Sequence, residues 1–275
     1  MLDEPRPSTW FRSSALLDVR GLRVSPSAGA LEVVRGVTLT ITQGEIVGLL
    51  GDSDSGAREI ALALSGLLTS TDRLTGGSIL FTGIELVGLP ERRLARVRGT
   101  DISFVPRDPA RSLDATLTIA HHLQTPLRRT MGFSRRASSS LSLELLARVG
   151  FTDPRALLDL YPADLTPFMA QRVLIAGAIS CDPLLVVADN PTSSLRPNDA
   201  HAVVDLLHDL HQELALTLVI VTDSLSMVAQ SCRQVAVVER GMIVEHASVA
   251  ELLHSPQHEH SQRLVAARNA DLAAE

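Results

Sequence analysis

The run Ile46-Val47-Gly48-Leu49-Leu50, entered from Glu45, ends in Gly51-Asp52-Ser53-Asp54-Ser55-Gly56, and residues 57–68 then recur with helical period. No other stretch restricts the fold as much. A continuous apolar run fits a strand covered on both faces, as in a parallel sheet. A short loop bounded by two glycines permits a tight passage from that strand into a helix. Strand, loop and helix are together the frame of a phosphate-binding loop, in which backbone N–H groups and the positive end of a helix dipole converge on an anion. The usual pattern is Gly, four residues, Gly, Lys, then Ser or Thr. Gly51 and Gly56 have that spacing, but Ala57 stands at the lysine position and Arg58 at the hydroxyl position. Two readings of the glycines stay open: they shape the turn alone, or they keep a residual anion site. Arg58 lies about 100° further round the helix than the lysine position, so its side chain is expected to point away from the loop.

The rest of the chain supplies elements that would surround such a loop. Residues 16–24 alternate as a strand, followed by a turn-rich loop with Pro26 and Gly29. Residues 36–42 place Val37, Leu39 and Ile41 on one face and Thr38, Thr40 and Thr42 on the other, the pattern of a half-buried antiparallel strand. A helix is expected over 58–68, a break at Gly76-Gly77, a short strand over 78–81, a charged helix over 90–98 and a buried strand over 102–105. From Pro106 to about Cys181 helical periods dominate, over 119–127, 140–149, 155–160 behind the start signal Asp153-Pro154, and 168–180. The polar stretch 134–142 reads as a flexible loop within this block. Buried strands follow over 184–188 and 217–221, helices over 198–214 and 225–231, and a hairpin around Arg240-Gly241. Two short helices, 249–253 and 261–273, end the chain. Buried strands alternating with helices imply an α/β fold with a largely parallel sheet and crossover connections.

Composition narrows the function classes. The 275 residues are 45% hydrophobic, enough for a sizeable core, but only 3% aromatic, so packing relies on Leu, Val, Ile and Ala. A net charge of −6 disfavours a broad nucleic-acid surface, which would need a basic stripe. Cys181 and Cys232 are far apart and have no metal-ligand spacing, so they read as reduced thiols. No apolar run reaches the roughly 18–20 residues that cross a bilayer, so membrane contact is expected through partners. Residues 1–14 contain Asp3, Glu4 and Pro5 and no apolar segment of a secretory signal, and read as a loose leader.

Several further stretches resemble one family. They are Gly76-Gly77-Ser78-Ile79-Leu80-Phe81; Asp108-Pro109 with Ser112-Leu113 and Leu117-Thr118-Ile119; Tyr161-Pro162 and Leu165 ahead of Gln171-Arg172-Val173; Asp182-Pro183, Leu185 to Asp189 and Pro191-Thr192; and Pro256, His258, Gln262 and Leu264. In this order the chain resembles the ATP-binding subunits of ABC transporters, within the oligopeptide, dipeptide and nickel importer group. The resemblance implies a P-loop NTPase core with a mostly parallel sheet, an antiparallel β subdomain and a helical subdomain at about 106–181. It implies an ABC ATPase-like domain over 15–245 and a C-terminal helical extension over 246–275. It also implies ATP and Mg²⁺ as cofactors, and permease subunits and a second ATP-binding subunit as partners. The location it implies is cytoplasmic, on the inner face of the cell membrane.

Position by position the chemistry departs from the resemblance. Besides Ala57 and Arg58, Asp54 replaces a family glycine, while Asp52 matches an acidic position and Ser53 and Ser55 complete the loop. Asp189 keeps the family's metal-binding carboxylate, or alternatively serves as a capping group at a strand end. Asn190 replaces the glutamate that acts on water, Asp223 the switch histidine, Arg107 the Q-loop glutamine and Arg196 the D-loop aspartate. Arg107 is expected to pair with Asp108 or another neighbour. The signature becomes Leu165-Thr166-Pro167-Phe168, in which Pro167 has no N–H and Phe168 is expected to pack as core or interface. Pro26 lies near the place of the stacking aromatic. The expectation is weak or absent ATP and Mg²⁺ binding in a catalytically degenerate structural or regulatory subunit. The alternatives are a slow atypical ATPase, with Arg58 or Arg107 in the lysine's role, and a soluble interaction protein outside transport.

Overall fold

A computed structural model describes residues 15–27, 30–68 and 73–274. The leader over 1–14, like Gly29, lies outside the described residues. In chain order the elements are β1 (Ala15–Ser25), β2 (Val34–Thr42), β3 (Ile46–Leu50), α1 (Ala57–Leu64), β4 (Arg73–Phe81), β5 (Ile84–Glu85), α2 (Glu91–Thr100) and β6 (Ile102–Val105). There follow α3 (Pro109–Ser112), α4 (Ile119–Arg129), α5 (Arg135–Arg148), α6 (Pro154–Leu158), α7 (Pro167–Ala178), β7 (Leu185–Asp189), α8 (Pro197–Leu214) and β8 (Thr217–Thr222). The chain closes with α9 (Leu225–Ser231), β9 (Gln234–Glu239), β10 (Met242–Ser248), α10 (Val249–His254) and α11 (Glu259–Ala274).

Among the described residues, ten strands form two sheets. One is antiparallel, in the order β2-β1-β4-β5. The other runs β10-β9-β3-β8-β7-β6 and is parallel except for the β9–β10 hairpin. Every residue of β3, β7 and β8 is buried, because both faces of this sheet are covered. Along β7 the side chains alternate between two cores. Leu185 and Val187 join a cluster with α1 and the antiparallel sheet, and Val186 and Ala188 join one with α4, α5, α7 and α8. A third cluster, with Leu50, Val228, Val237 and Leu252, seats α9 and α10. Helices α3 to α7 all lie between β6 and β7, which are neighbours in the sheet.

Three local expectations need correction. Helix α1 stops at Leu64 rather than at Leu68. Gly66, at φ 63°, donates to Ala63 O at 3.0 Å, and Leu67 N–H reaches Leu62 O at 2.7 Å. This left-handed cap satisfies the last carbonyls and turns the chain out of the helix. Gly76-Gly77 does not break the chain: β4 runs through both residues, which mark an irregularity in its pairing with β1. Gly77 sits at φ 94°, where a Cβ would lie 2.6 Å from Gly21 O. The polar stretch 134–142 is helical rather than a flexible loop. Ser134 Oγ accepts from Ala137 N–H at 3.2 Å and starts α5, and the buried Ser138 and Ser142 hydroxyls donate to the carbonyls of Arg135 and Ser138.

Candidate functional site

The parallel register decides which distant residues meet. β3 lies between β8 and β9, and β8 lies beside β7. Their C-terminal ends therefore share one edge of the sheet, the usual place for a ligand site in such folds. Gly51 to Arg58 leave β3 there, Asp189 and Asn190 leave β7, and Thr222 and Asp223 leave β8. Gly51 N–H donates to Thr222 O at 3.0 Å. Arg107, just beyond β6, completes a cleft lined also by Gly51, Asp52, Ser53, Ala57, Arg58, Asp189, Asn190, Val221, Thr222 and Asp223. The cleft encloses about 30 Å³, room for one or two water molecules.

The loop is held from within and from outside. Ser55 Oγ donates to Asp52 O at 2.6 Å and accepts from Ala57 N–H at 3.3 Å. Gly241 N–H, in the β9–β10 turn, donates to Ser55 O at 2.6 Å, and Gly241 O accepts from Arg35 N–H at 2.7 Å. Gly56 is at φ 90°, with its Cα face against the Val33 carbonyl. A Cβ on Gly51 would come within 2.8 Å of Val238 O. Both glycines are thus required by the turn. The roles of Ser55 and Gly241 escape sequence reasoning. Arg240-Gly241 signals a hairpin, and nothing local says that its turn bears on the loop.

Ala57 begins α1 and is buried. Arg58 does not point away as expected. It lines the cleft, and its Nε donates to Asp189 Oδ2 at 3.0 Å. A long side chain can reach back over the 100° step between neighbouring helix positions, and a buried carboxylate draws it there. The Asp189 side chain is 4% exposed and that of Arg58 is 54% exposed.

Asn190 is buried at φ 42°, a conformation that Asn adopts more readily than most residues. Its N–H donates to Val221 O at 2.8 Å, and its carbonyl accepts from Ser193 N–H at 3.2 Å. Arg107 is not paired with Asp108. Its Nε approaches Ser193 Oγ at 3.4 Å, while the Asp108 carboxylate caps α3 through the N–H groups of Ala110 and Arg111. Asp52, Ser53, Asp54 and Asp223 are exposed. The cleft therefore presents the carboxylates of Asp52, Asp189 and Asp223 against the guanidinium groups of Arg58 and Arg107.

Leu165, Thr166, Pro167 and Phe168 do not line this cleft. Leu165 and Pro167 line a separate one beside Asp108 and Pro109. Thr166 Oγ1 accepts from Met169 N–H at 3.2 Å and Pro167 is the first residue of α7, a cap followed by a proline where no N–H is needed. Phe168 packs against the helical core, as expected. The Arg172 guanidinium lies 4.1 Å from the ring centroid of Phe151 and 4.4 Å from that of Phe168. Burial holds Arg172 below its usual pKa, with Asp199 acting in the opposite sense.

Comparison with known proteins gives the arrangement a family. The family model described as ABC transporter matches residues 34–193. The dipeptide transport ATP-binding protein DppD of Haemophilus influenzae is 32% identical over 253 residues, 91% of this chain and 77% of that protein. The oligopeptide transport ATP-binding protein OppD of Salmonella typhimurium is 33% identical over 251 residues, 90% of this chain and 75% of that protein. Among solved structures, the dimeric ATP-binding cassette MJ0796 bound to ADP and Pi has a TM-score of 0.75 at 22% identity, covering 85% of this chain and 98% of that one. The cbiO1 protein of Clostridium perfringens, part of the ABC transporter complex cbiONQ, has a TM-score of 0.77 at 22% identity, covering 96% and 100%. The structural neighbours carry the fold, an α/β P-loop NTPase, and the sequence relatives carry the family. The chain belongs to the ABC transporter family, alongside the ATP-binding subunits of peptide importers.

Proposed function

We infer that this chain is the ATP-binding-type subunit of a peptide importer, kept as a structural or regulatory member and not as a hydrolysing motor. The transport half of the reading draws on the relatives, which are dipeptide and oligopeptide transport ATP-binding proteins. Its partners are then permease subunits and a second ATP-binding subunit, and it sits at the cytoplasmic face of the membrane through them. Residues 15–245 form the cassette in this reading, with 106–181 as its helical subdomain and 246–275 as an extension.

The observation that carries the inactive half is the Arg58–Asp189 pair beside Ala57. In phosphate-loop proteins a lysine reaches the β- and γ-phosphates, and the hydroxyl of the next residue, with an aspartate, holds Mg²⁺. Here a methyl group stands at the first position, and an arginine at the second already engages the aspartate. Magnesium nucleotide does not fit these residues. A lysine near a phosphate is worth about 4 kcal/mol at an effective dielectric of 20. Losing half of that weakens binding by more than tenfold. Asn190 can hold a water but cannot accept its proton, and Asp223 would repel a phosphate. These parts act as a unit, so their energies are not summed.

Calorimetric titration of the full chain with Mg-ATP, alone and with a co-purified permease, tests the reading. No micromolar binding and no phosphate release above background are expected. One observation favours a second reading, a slow ATPase: Arg58 and Arg107 both line the cleft. Micromolar Mg-ATP affinity with turnover abolished by Arg58→Ala would establish it in place of the first.

A further inference from the structure

We propose that Arg58 is the fixed counter-cation of Asp189, filling from within the seat at which a phosphate loop of this layout would place a divalent metal. The inference rests on the reading above, that magnesium nucleotide does not fit this cleft, and supplies its physical cause. The exposures assign the roles. Asp189 is withdrawn from water at 4% side-chain exposure, whereas Arg58 remains 54% exposed. A buried carboxylate needs a cation, while a hydrated guanidinium does not need that carboxylate. The cation is delivered from the second residue of α1, the position at which such a loop carries its metal-binding hydroxyl. The surrounding frame is intact. Gly51 N–H is on Thr222 O, Gly56 holds the turn at φ 90°, and Ser55 braces the loop on Asp52 O and Gly241 N–H. Among the loop residues that line the cleft, Ala57 and Arg58 are the two at which the lysine and the metal-binding hydroxyl are missing. Within the loop, Asp54 is exposed and outside the cleft lining, so it need not change.

The test uses the full chain, with magnesium chloride and Mg-ATP as probes and thermal melting and calorimetry as readouts. Arg58→Ser leaves Asp189 without its cation. Its melting temperature should fall in EDTA and recover most of the loss in millimolar magnesium chloride, whereas the wild type melts alike in both. Arg58→Ser combined with Asp189→Asn should lose less than Arg58→Ser alone, because a buried amide needs no cation. Ala57→Lys with Arg58→Ser keeps a positive charge in the loop, and so remains measurable where Arg58→Ser alone unfolds. It should bind Mg-ATP at least tenfold more tightly than the wild type. The proposal is overturned where the double variant binds Mg-ATP no better than the wild type. It is equally overturned where Arg58→Ser melts like the wild type without a magnesium response. Either failure leaves the inactive reading standing, provided the wild type does not bind Mg-ATP. Tight wild-type binding overturns the inactive reading and this inference together.

Discussion

Gly56 and Gly44 share a backbone conformation and differ in surroundings, so together they isolate what the loop demands of a residue. Gly44 is at φ 77° with nothing within 4 Å of a built Cβ, while Gly56 is at φ 90° and its Cβ would enter the Val33 carbonyl. Left-handed strain alone costs about 1–3 kcal/mol for a non-glycine residue. Gly44→Ala is therefore expected to lose about 1 kcal/mol in urea unfolding. Gly56→Ala should lose at least about 2 kcal/mol more, because backbone must also shift. Equal losses for the two would refute a packing role for Gly56. The spacing of Gly51 and Gly56 was legible in the sequence because it matches the pattern of a phosphate loop, although Val238 O and Val33 O, the carbonyls that exclude a side chain there, lie far away in the chain. The direction of Arg58 was not, because its partner Asp189 lies 131 positions away and draws it only when buried. Of its two expected partners, Asp108 or another neighbour, Arg107 takes the second. Its neighbour Asp108 is spent on the N–H groups at the start of α3, so the side chain turns to Ser193.

Polar residues inside a regular element account for the error at the start of α5. The serine-rich first half of α5 looks like a loop because it lacks an apolar stripe, yet Ser138 and Ser142 are fully buried with their hydroxyls on backbone carbonyls of the preceding turn. A hydroxyl satisfied in this way can occupy a core position, which a hydrophobic pattern does not register. The short β5 is secured similarly. Burial pushes the Glu85 carboxyl up, but hydrogen bonds from Ser78 Oγ and the N–H groups of Ile79 and Val87 outweigh it and leave Glu85 below its ordinary 4.5. A depressed folded-state pKa stabilises the fold above the unfolded value, and that stability is lost as pH falls through the folded value. Melting temperature should therefore drop as pH falls from about 5 to about 3, with a shallower slope in Glu85→Gln than in the wild type. Parallel slopes in the two proteins would remove Glu85 from the acid response.

At the scale of the whole molecule, the fold class followed from pattern, since runs buried on both faces leave few arrangements other than a helix-covered parallel sheet. What the pattern could not carry was the contact between the sheets. The β9–β10 turn reaches both the Ser55 carbonyl and the Arg35 N–H of β2, and so ties the candidate site to the antiparallel sheet. That tie bears on how the proposed subunit would behave in a complex. In the proposed reading, a loop braced by Gly241, with Asp189 neutralised by Arg58, would reach its settled form without a nucleotide. Docking on a permease should then be independent of Mg-ATP. Among the described residues no helix is long and apolar enough to cross a membrane, so attachment in this reading depends on the partner. Expressed alone, the chain should remain in the supernatant after ultracentrifugation. Expressed with the permease subunits it should sediment with membranes, and it should co-elute with them from detergent equally well in EDTA and in Mg-ATP. Sedimentation without the permease would contradict attachment through partners. Release by EDTA would show that the assembly still uses a metal-bound nucleotide, and the inactive reading would fall with it.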